Sequence, residues 1–248
     1  MKNPDAWKPT KYIYMNGKLK ASRDRREVAI SSRLVSDIVA DLYQQNIPPH
    51  VTGKLLDLGC GKVPLYIAYK DYVSDTTCVD WENTFHKNEH LDFSCDLTKD
   101  LPFEDGKFDT IILSDVLEHI PDPENLCKEI FRILSENGKL IMNVPFFYRI
   151  HEAPHDYYRY TEFALKRFMD IAGFNVIQLK PIGGAPEIMA DMFAKNIQAV
   201  PFIGKPLAIA AQYLMGLFIR TRIGRRMSQS TSQVSPLGYF LIAEKPGS

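Results

Sequence analysis

The side chains with the densest chemical potential lie in His151-Glu152-Ala153-Pro154-His155-Asp156, where two imidazoles and two carboxylates fall within six residues. Histidine titrates in the range in which a hydroxyl-bearing substrate must give up its proton. His151 or His155, assisted by Glu152 or Asp156, is therefore a candidate general base. The same residue types ligate metals, but Pro154 breaks the helical spacing of a His-Glu-x-x-His site, and no metal is expected. The other reading is a loop that orders itself through His–Asp and Arg159–carboxylate hydrogen bonds while Tyr157, Tyr158 and Tyr160 line an acceptor pocket. Glu118-His119 carries a weaker form of the same argument, with a structural role at a helix end as the expectation.

A second group of residues has the chemistry of a ligand cradle. Leu55-Leu56-Asp57-Leu58 is an apolar run interrupted by one acid, and it breaks into Gly59-Cys60-Gly61 followed by Pro64. This predicts a buried strand, a tight turn and a helix start. Glycine at 59 and 61 lets a backbone approach a ligand closely and allows positive φ. The dinucleotide fingerprint would need a third glycine where Pro64 stands, which disfavours a nicotinamide oxidoreductase. Asp57 is a poor neighbour for a diphosphate and a good one for a cation. Val79-Asp80-Trp81, about twenty residues on, ends a second apolar run with an acid of the kind that grips ribose hydroxyls. Two acids and a glycine turn favour a positively charged nucleoside.

At these residues the chain resembles the class I S-adenosylmethionine-dependent methyltransferases, in particular a small bacterial type often linked to cell-surface polysaccharide and lipid modification. The resemblance spans roughly 54–184 and resumes at 238–246. It rests on Leu-Asp-Leu-Gly-Cys-Gly, Val79-Asp80, Cys95-Asp96-Leu97, Phe108-Asp109 with Val116-Leu117-Glu118-His119-Ile120, Asn137-Gly138-Lys139-Leu140, and Pro145-Phe146 leading into the histidine loop. The resemblance implies S-adenosylmethionine as cofactor. Asp57, Gly59, Cys60 and Gly61 would hold its amino-acid portion, Asp80 the ribose, and Asp96 with the Leu97 backbone the adenine edge. Trp81 would cover the adenosine or serve packing, and Ser114 and Asp115 would lie near the transferring methyl. The acceptor implied is a hydroxylated small molecule, or a sugar or lipid-linked glycan, methylated on oxygen. A catalytically silent scaffold that only binds the cofactor is the alternative.

Positioning these residues requires an alternating α/β chain. Apolar runs predict strands at 54–58, 76–81, 91–94, 108–114, 139–144, 175–181 and 238–243, separated by helical patterns. Asp122-Pro123 and Thr161 are helix starts, and Asn137-Gly138 and Gly173 are helix stops. Together they give a Rossmann-like sheet of seven mostly parallel strands with helices on both faces; the antiparallel last strand is implied by the resemblance. In such sheets ligands bind beyond the carboxyl ends of the strands, which places Asp57 to Gly61, Asp80, Asp96, Ser114-Asp115 and the histidine loop on one rim.

Residues 1–23 read as an arm, and 24–248 as a single domain with an insertion at 185–236. An amphipathic helix is expected over 24–45, ended by Asn46-Ile47-Pro48-Pro49. Within the insertion, residues 206–219 carry no charge and are followed by Arg220, Arg222, Arg225 and Arg226. Fourteen residues are too few to span a bilayer, which needs about twenty. A lid, a homodimer contact and an interfacial helix on anionic lipid across 206–226 remain, with the polar stretch 227–235 as a flexible linker. Thirty basic and thirty acidic residues balance, without the basic field that nucleic-acid binding needs. The four cysteines lack a C-x-x-C pair and suit free thiols in a reducing cytoplasm. No secretory leader pattern opens the chain. The expected location is cytoplasmic, or peripheral at the inner face of the membrane.

Overall fold

A computed structural model describes residues 1–82 and 89–247. In chain order its elements are β1 (Tyr12–Met15), β2 (Lys18–Ala21), α1 (Arg33–His50), β3 (Lys54–Leu58), α2 (Tyr66–Tyr69), β4 (Asp75–Asp80), β5 (Phe93–Ser94), β6 (Phe108–Ser114), α3 (Pro123–Ile133), β7 (Leu134–Pro145), α4 (Glu162–Ala172), β8 (Asn175–Ile182), α5 (Ala185–Ile197), α6 (Gly204–Phe218), α7 (Arg222–Ser232) and β9 (Gly238–Glu244). The chain forms two compact units: Met1–Lys8, Asn46–Lys180 and Tyr239–Ser248 in the first, Pro9–Gln45 and Pro181–Gly238 in the second.

The first unit is built on a seven-stranded sheet in the order β5-β4-β3-β6-β7-β9-β8. The pairs β3–β4, β3–β6, β4–β5 and β6–β7 are parallel. β9 is antiparallel to its neighbours: Lys245, past its end, exchanges backbone bonds with Asn137 and Gly138 in the early part of β7. Helices cover both faces, so β3 and β6 read as near-continuous apolar runs rather than alternating ones. Leu56, Leu58, Ile111, Leu113, Leu140 and Met142 form the centre of the core. The chain enters at β3, runs outward to β4 and β5, and returns to β6, so strand order reverses between β3 and β6. Register places Asp80 beside Ser94 and Ser114 beside Asn143 on the carboxyl rim.

Several local expectations shift. α2 is a single turn of four residues beginning after Leu65, so Pro64 lies just ahead of it. The third strand shrinks to Phe93–Ser94. The Asp122 carboxylate caps α3 by accepting from Asn125 N–H at 3.1 Å, and Thr161 Oγ1 caps α4 through Ala164 N–H at 3.3 Å. Asn137-Gly138 does not end α3, which stops at Ile133. Its residues bulge within β7 instead, where pairing jumps from Phe108–Leu134 to Thr110–Lys139. Asn137 adopts φ 61°, and a side chain at Gly138 would meet Ser135 O at 2.8 Å, so the dipeptide is needed for a bulge rather than a cap.

In the second unit β1 and β2 form a hairpin across Asn16-Gly17, both at positive φ. Asp37 and Gln44 of α1 accept from Ala21 N–H and Leu19 N–H, each at 2.8 Å, and Asp41 holds Lys20 at 2.8 Å. α1 starts at Arg33 rather than 24 and runs through Pro48 and Pro49. Proline's fixed φ is helical, and Val51 N–H bonds back to Ile47 O at 2.9 Å past both rings. Of the stretch expected to be a linker, 227–232 is helical in α7, whose Thr231 and Ser228 hold Ala185 N–H and Glu187 at 2.9 and 2.6 Å. Buried Gln212 of α6 accepts from Leu34 N–H at 2.8 Å, tying insertion to N-terminal segment. No helix among the described residues is long and apolar enough to cross a membrane.

Candidate functional site

The turn after β3 is shaped by its neighbours. Gly59 has φ +73°, and a Cβ there would lie 2.6 Å from Val116 Cγ2, so both backbone and space require glycine. Gly59 and Cys60 N–H groups bond to Val79 O at 2.9 and 3.0 Å, which fastens the turn to β4. Gly61 N–H donates to Asp80 Oδ2 at 3.0 Å, and Trp81 N–H to Asp80 Oδ1 at 2.8 Å. The Asp80 carboxylate thus stands against the glycine turn at the reversal of strand order. Cys60 is buried, and the thiols of all four cysteines are free.

Asp57 lies behind the turn, 4% exposed, accepting from Tyr69 Oη at 2.9 Å. Burial pushes its carboxyl up to about 7; the Tyr69 bond opposes this and the Asp80 charge adds to it. Tyr69 was not singled out in the sequence, where it reads as one more apolar position of a helix. Asp96 follows β5, whose end is tied to β4 by Cys95 N–H to Asp80 O at 2.8 Å. Asp96 accepts from Thr98 N–H and Thr98 Oγ1 at 3.0 and 2.7 Å and pairs with Lys99 at 3.0 Å. The Thr98 hydroxyl, then Lys99, hold its carboxyl below the usual range. Leu97 is buried beside it.

At the end of β6, Ser114 Oγ donates to Asn143 Oδ1 at 2.9 Å, and Asn143 Nδ2 donates to the Asp115 carboxylate. Asp115 has φ 54° and its N–H bonds Asn143 O at 3.1 Å. Asn143, nearly buried, is the member of this triad that sequence reasoning missed. Its signal was a lone amide inside the apolar run Leu140 to Val144.

The histidine loop is stitched to residues 117–121. Tyr157 and Tyr158 N–H groups bond to Glu118 O at 3.0 and 3.3 Å, Tyr160 Oη to Leu117 O at 2.8 Å, and Tyr158 Oη to Pro121 O at 2.9 Å. Two of the three tyrosines therefore spend their hydroxyls on carbonyls of the 117–121 segment. Asp156 receives Arg159 through both guanidinium nitrogens, at 2.6 and 2.8 Å, and His151 N–H at 2.9 Å. Arg159 first, then the His151 N–H and the nearby imidazole, keep its carboxyl far below the ordinary range against the cost of burial. His155 Nδ1 lies 3.3 Å from Tyr157 Oη, and its ring packs edge-on against Trp81 with centroids 4.9 Å apart.

The two histidines are thus separated by environment. His155 faces the Trp81 ring. His151 packs against the His119 ring at 4.7 Å, with Nε2 3.7 Å from Glu118 and Nδ1 3.3 Å from Asp156. Burial pulls the His151 imidazole down, but Glu118 and then Asp156 outweigh it and the net shift is upward. Glu118 is fully buried and burial pushes its carboxyl up, opposed by the neighbouring His151.

Residues 56–142, from β3 into β7, match the family model of a methyltransferase domain. Solved structures of similar fold include the [4+2]-cyclase SpnF, 19% identical over 97% of this chain and 88% of its own, with a TM-score of 0.56. An S-adenosylmethionine-dependent methyltransferase from Mesorhizobium loti is 14% identical over 82% and 96%, TM-score 0.52. The phosphoethanolamine N-methyltransferase 2 of Haemonchus contortus, in complex with phosphomonomethylethanolamine and S-adenosylhomocysteine, is 16% identical over 85% of this chain and 53% of its own, TM-score 0.52. At these identities the likeness is one of fold.

Proposed function

We propose that this chain is a methyltransferase that uses S-adenosylmethionine to methylate a hydroxyl of a small molecule or of a sugar or lipid-linked glycan. The observation that carries the reading is the Asp80 carboxylate clamped on the N–H groups of Gly61 and Trp81. It stands beside a turn in which a Cβ at Gly59 would strike Val116. These residues fit a cationic nucleoside: Asp80 would accept from ribose hydroxyls, the buried Asp57 would favour the amino-acid ammonium, and Asp96 with the Leu97 backbone would meet the adenine edge. Ser114 and Asp115, held by Asn143, lie toward the transferred group.

When bound, the cofactor would supply an electrophilic methyl group on a sulfonium, with the electron pair of the carbon–sulfur bond retained by sulfur on transfer to the acceptor oxygen. The protein's share is alignment, and proton removal from the acceptor hydroxyl. His155 takes that proton, because it lies on the Trp81 side and no acid in the described residues is bonded to its ring. Asp156 is committed to Arg159 and positions the loop.

Because one protein of this fold is named a cyclase, fold alone does not assign the reaction, and a silent cofactor-binding scaffold is the second reading. Turnover decides. With labelled cofactor and cell-extract small molecules and glycans, the protein forms S-adenosylhomocysteine and a labelled product. Asp80→Ala loses cofactor binding by calorimetry, and His155→Ala cuts kcat while leaving cofactor affinity alone. Absence of binding by the unmutated protein overturns the reading; binding without turnover leaves the scaffold.

The second unit carries a surface of its own that suits a lipid. Phe202 is 98% exposed and Leu214 63%, on and beside α6, with Arg220, Arg222, Arg225 and Arg226 exposed just beyond. An apolar helix face bordered by arginines is complementary to an anionic lipid surface. The protein should co-sediment with anionic phospholipid vesicles and not with zwitterionic ones, and Arg225→Glu with Arg226→Glu should abolish this. Dimerisation without vesicle binding would assign the face to a second copy.

A further inference from the structure

We propose that Glu118, His119 and His151, with Glu152 at the rim, form a binding site for one divalent transition-metal ion. Glu118 has no exposed surface, and neither of its carboxylate oxygens has a hydrogen-bond partner among the described residues. A buried carboxylate left in this state is costly unless a cation compensates it. Two imidazole nitrogens face it: His151 Nε2 at 3.7 Å and His119 Nε2 at 3.8 Å. Glu152 Oε2 lies 3.9 Å from the same His119 Nε2. The three donors of Glu118, His119 and His151 all fall within 4.8 Å of one another.

These separations are too long for hydrogen bonds. The carboxylate–imidazole separations of 3.7, 3.8 and 3.9 Å match atoms bound to a common ion, since metal–ligand bonds of about 2.0–2.2 Å put ligand atoms roughly 3–4 Å apart. The outer contacts of the rings point the same way. His119 Nδ1 is 2.8 Å from the carbonyl oxygen of His155, which only accepts, so Nδ1 carries the proton. His151 Nδ1 is turned toward Asp156 Oδ2 at 3.3 Å. With the protons on Nδ1, both Nε2 lone pairs converge on a carboxylate, acceptor against acceptor, an arrangement that a cation between them resolves. Metal-ligating histidines are characteristically held in this way by a carbonyl or carboxylate on the far nitrogen.

Two imidazoles with one or two carboxylates suit manganese, iron, cobalt or zinc rather than magnesium or calcium. His151 and Glu152 are partly exposed, so the ion keeps positions open to solvent. The role assigned to it rests on the function proposed above: an acceptor presenting oxygen to the ion would lose its hydroxyl proton more readily. This favours acceptors with neighbouring oxygens able to chelate, such as a vicinal diol. Sequence spacing concealed the site because its ligands come from two segments, 118–119 and 151–152, that the tyrosines bring together.

The experiment is calorimetry of the chelator-stripped full chain with Mn2+, Zn2+ and Mg2+, supported by the visible absorption of the Co2+ form. The expected result is one Mn2+ or Zn2+ per chain, at least tenfold tighter than Mg2+, with Glu118→Gln and His151→Ala each weakening it tenfold or more and Asp80→Ala leaving it unchanged. If Glu118→Gln fails to fold, His151→Ala, which lies nearer the surface, carries the test. No stoichiometric ion, or affinity unchanged in the folded variants, overturns the site and leaves a buried Glu118–His151 charge pair. Cofactor titration of the same samples separates the two readings. Cofactor binding without metal refutes only the metal site, and metal without cofactor binding refutes only the donor assignment.

Discussion

Asp57 and Glu118 are both buried carboxylates of the first unit, and they are treated in opposite ways. Asp57 receives Tyr69 Oη at 2.9 Å and sits behind a turn whose Gly59 and Cys60 N–H groups bond to Val79 O of β4. Among the described residues Glu118 receives nothing within hydrogen-bond reach, and it faces two imidazoles. A carboxylic acid with a hydroxyl partner can stay neutral and wait for a cationic ligand. A carboxylate that faces imidazoles beyond hydrogen-bond reach is balanced either by a protonated ring or by a bound cation. The turn is therefore preorganised by the protein alone, and the loop cluster is complete only with something bound.

The largest effect that would break this contrast is at Gly59. Gly59→Ala places a Cβ 2.6 Å from Val116 Cγ2 at φ +73°. The expected cost is about 1–3 kcal/mol in denaturant unfolding, with cofactor affinity falling at least tenfold. Val116→Ala in the same chain removes the clashing methyls and should recover part of the loss, while the φ strain remains. If Gly59→Ala binds cofactor as the parent does, the turn is not the cradle and its preorganisation serves only the fold.

A smaller, pH-dependent effect belongs to Asp57. Its pKa of about 7 in the fold lies above the unfolded value near 4. Between those limits the folded chain holds a proton that the unfolded chain has released, so this group's contribution to stability falls as pH rises from about 4 to about 7 and is level beyond. Asp57→Asn removes that slope, and the difference between the two unfolding profiles isolates it. Cofactor affinity has the opposite trend: an ammonium prefers the ionised carboxylate, so binding tightens as pH rises through about 7, and Asp57→Asn should flatten the profile. A wild-type affinity that weakens over this range would place the ammonium elsewhere.

What was legible in the sequence follows from how local each signal is. The strands at 54–58 and 108–114, the Asp122 and Thr161 caps and the glycine turn each depend on a few adjacent residues, and all stand as read. Asn137-Gly138 was misplaced because a helix stop and a strand bulge ask for the same positive-φ chemistry. Asn16-Gly17, flanked by Tyr12–Met15 and Lys18–Ala21, was a local hairpin signal read only as part of an arm. The union of the N-terminal segment with the insertion, through Leu34 and Gln212, had no local trace. Asn143 and the pairing of Glu118 with His151 are likewise long-range, and nothing in either segment's own pattern reports them.

The smallest effect sharpens the comparison at its margin, where Asp96 is neither buried like Asp57 nor orphaned like Glu118. Its carboxylate is exposed and already occupied by Thr98 and Lys99. An exposed pair such as Asp96–Lys99 is worth less than about 1 kcal/mol, so a ligand amine can replace the lysine at little cost. Asp96→Asn should therefore weaken cofactor binding only several-fold, and Lys99→Ala should leave it unchanged or slightly tighter. Thr98→Val removes the hydroxyl that most lowers the Asp96 pKa, and should lower stability without changing cofactor affinity. If Asp96→Asn behaves like Thr98→Val, this carboxylate serves the turn after β5 and the adenine edge is held by backbone alone.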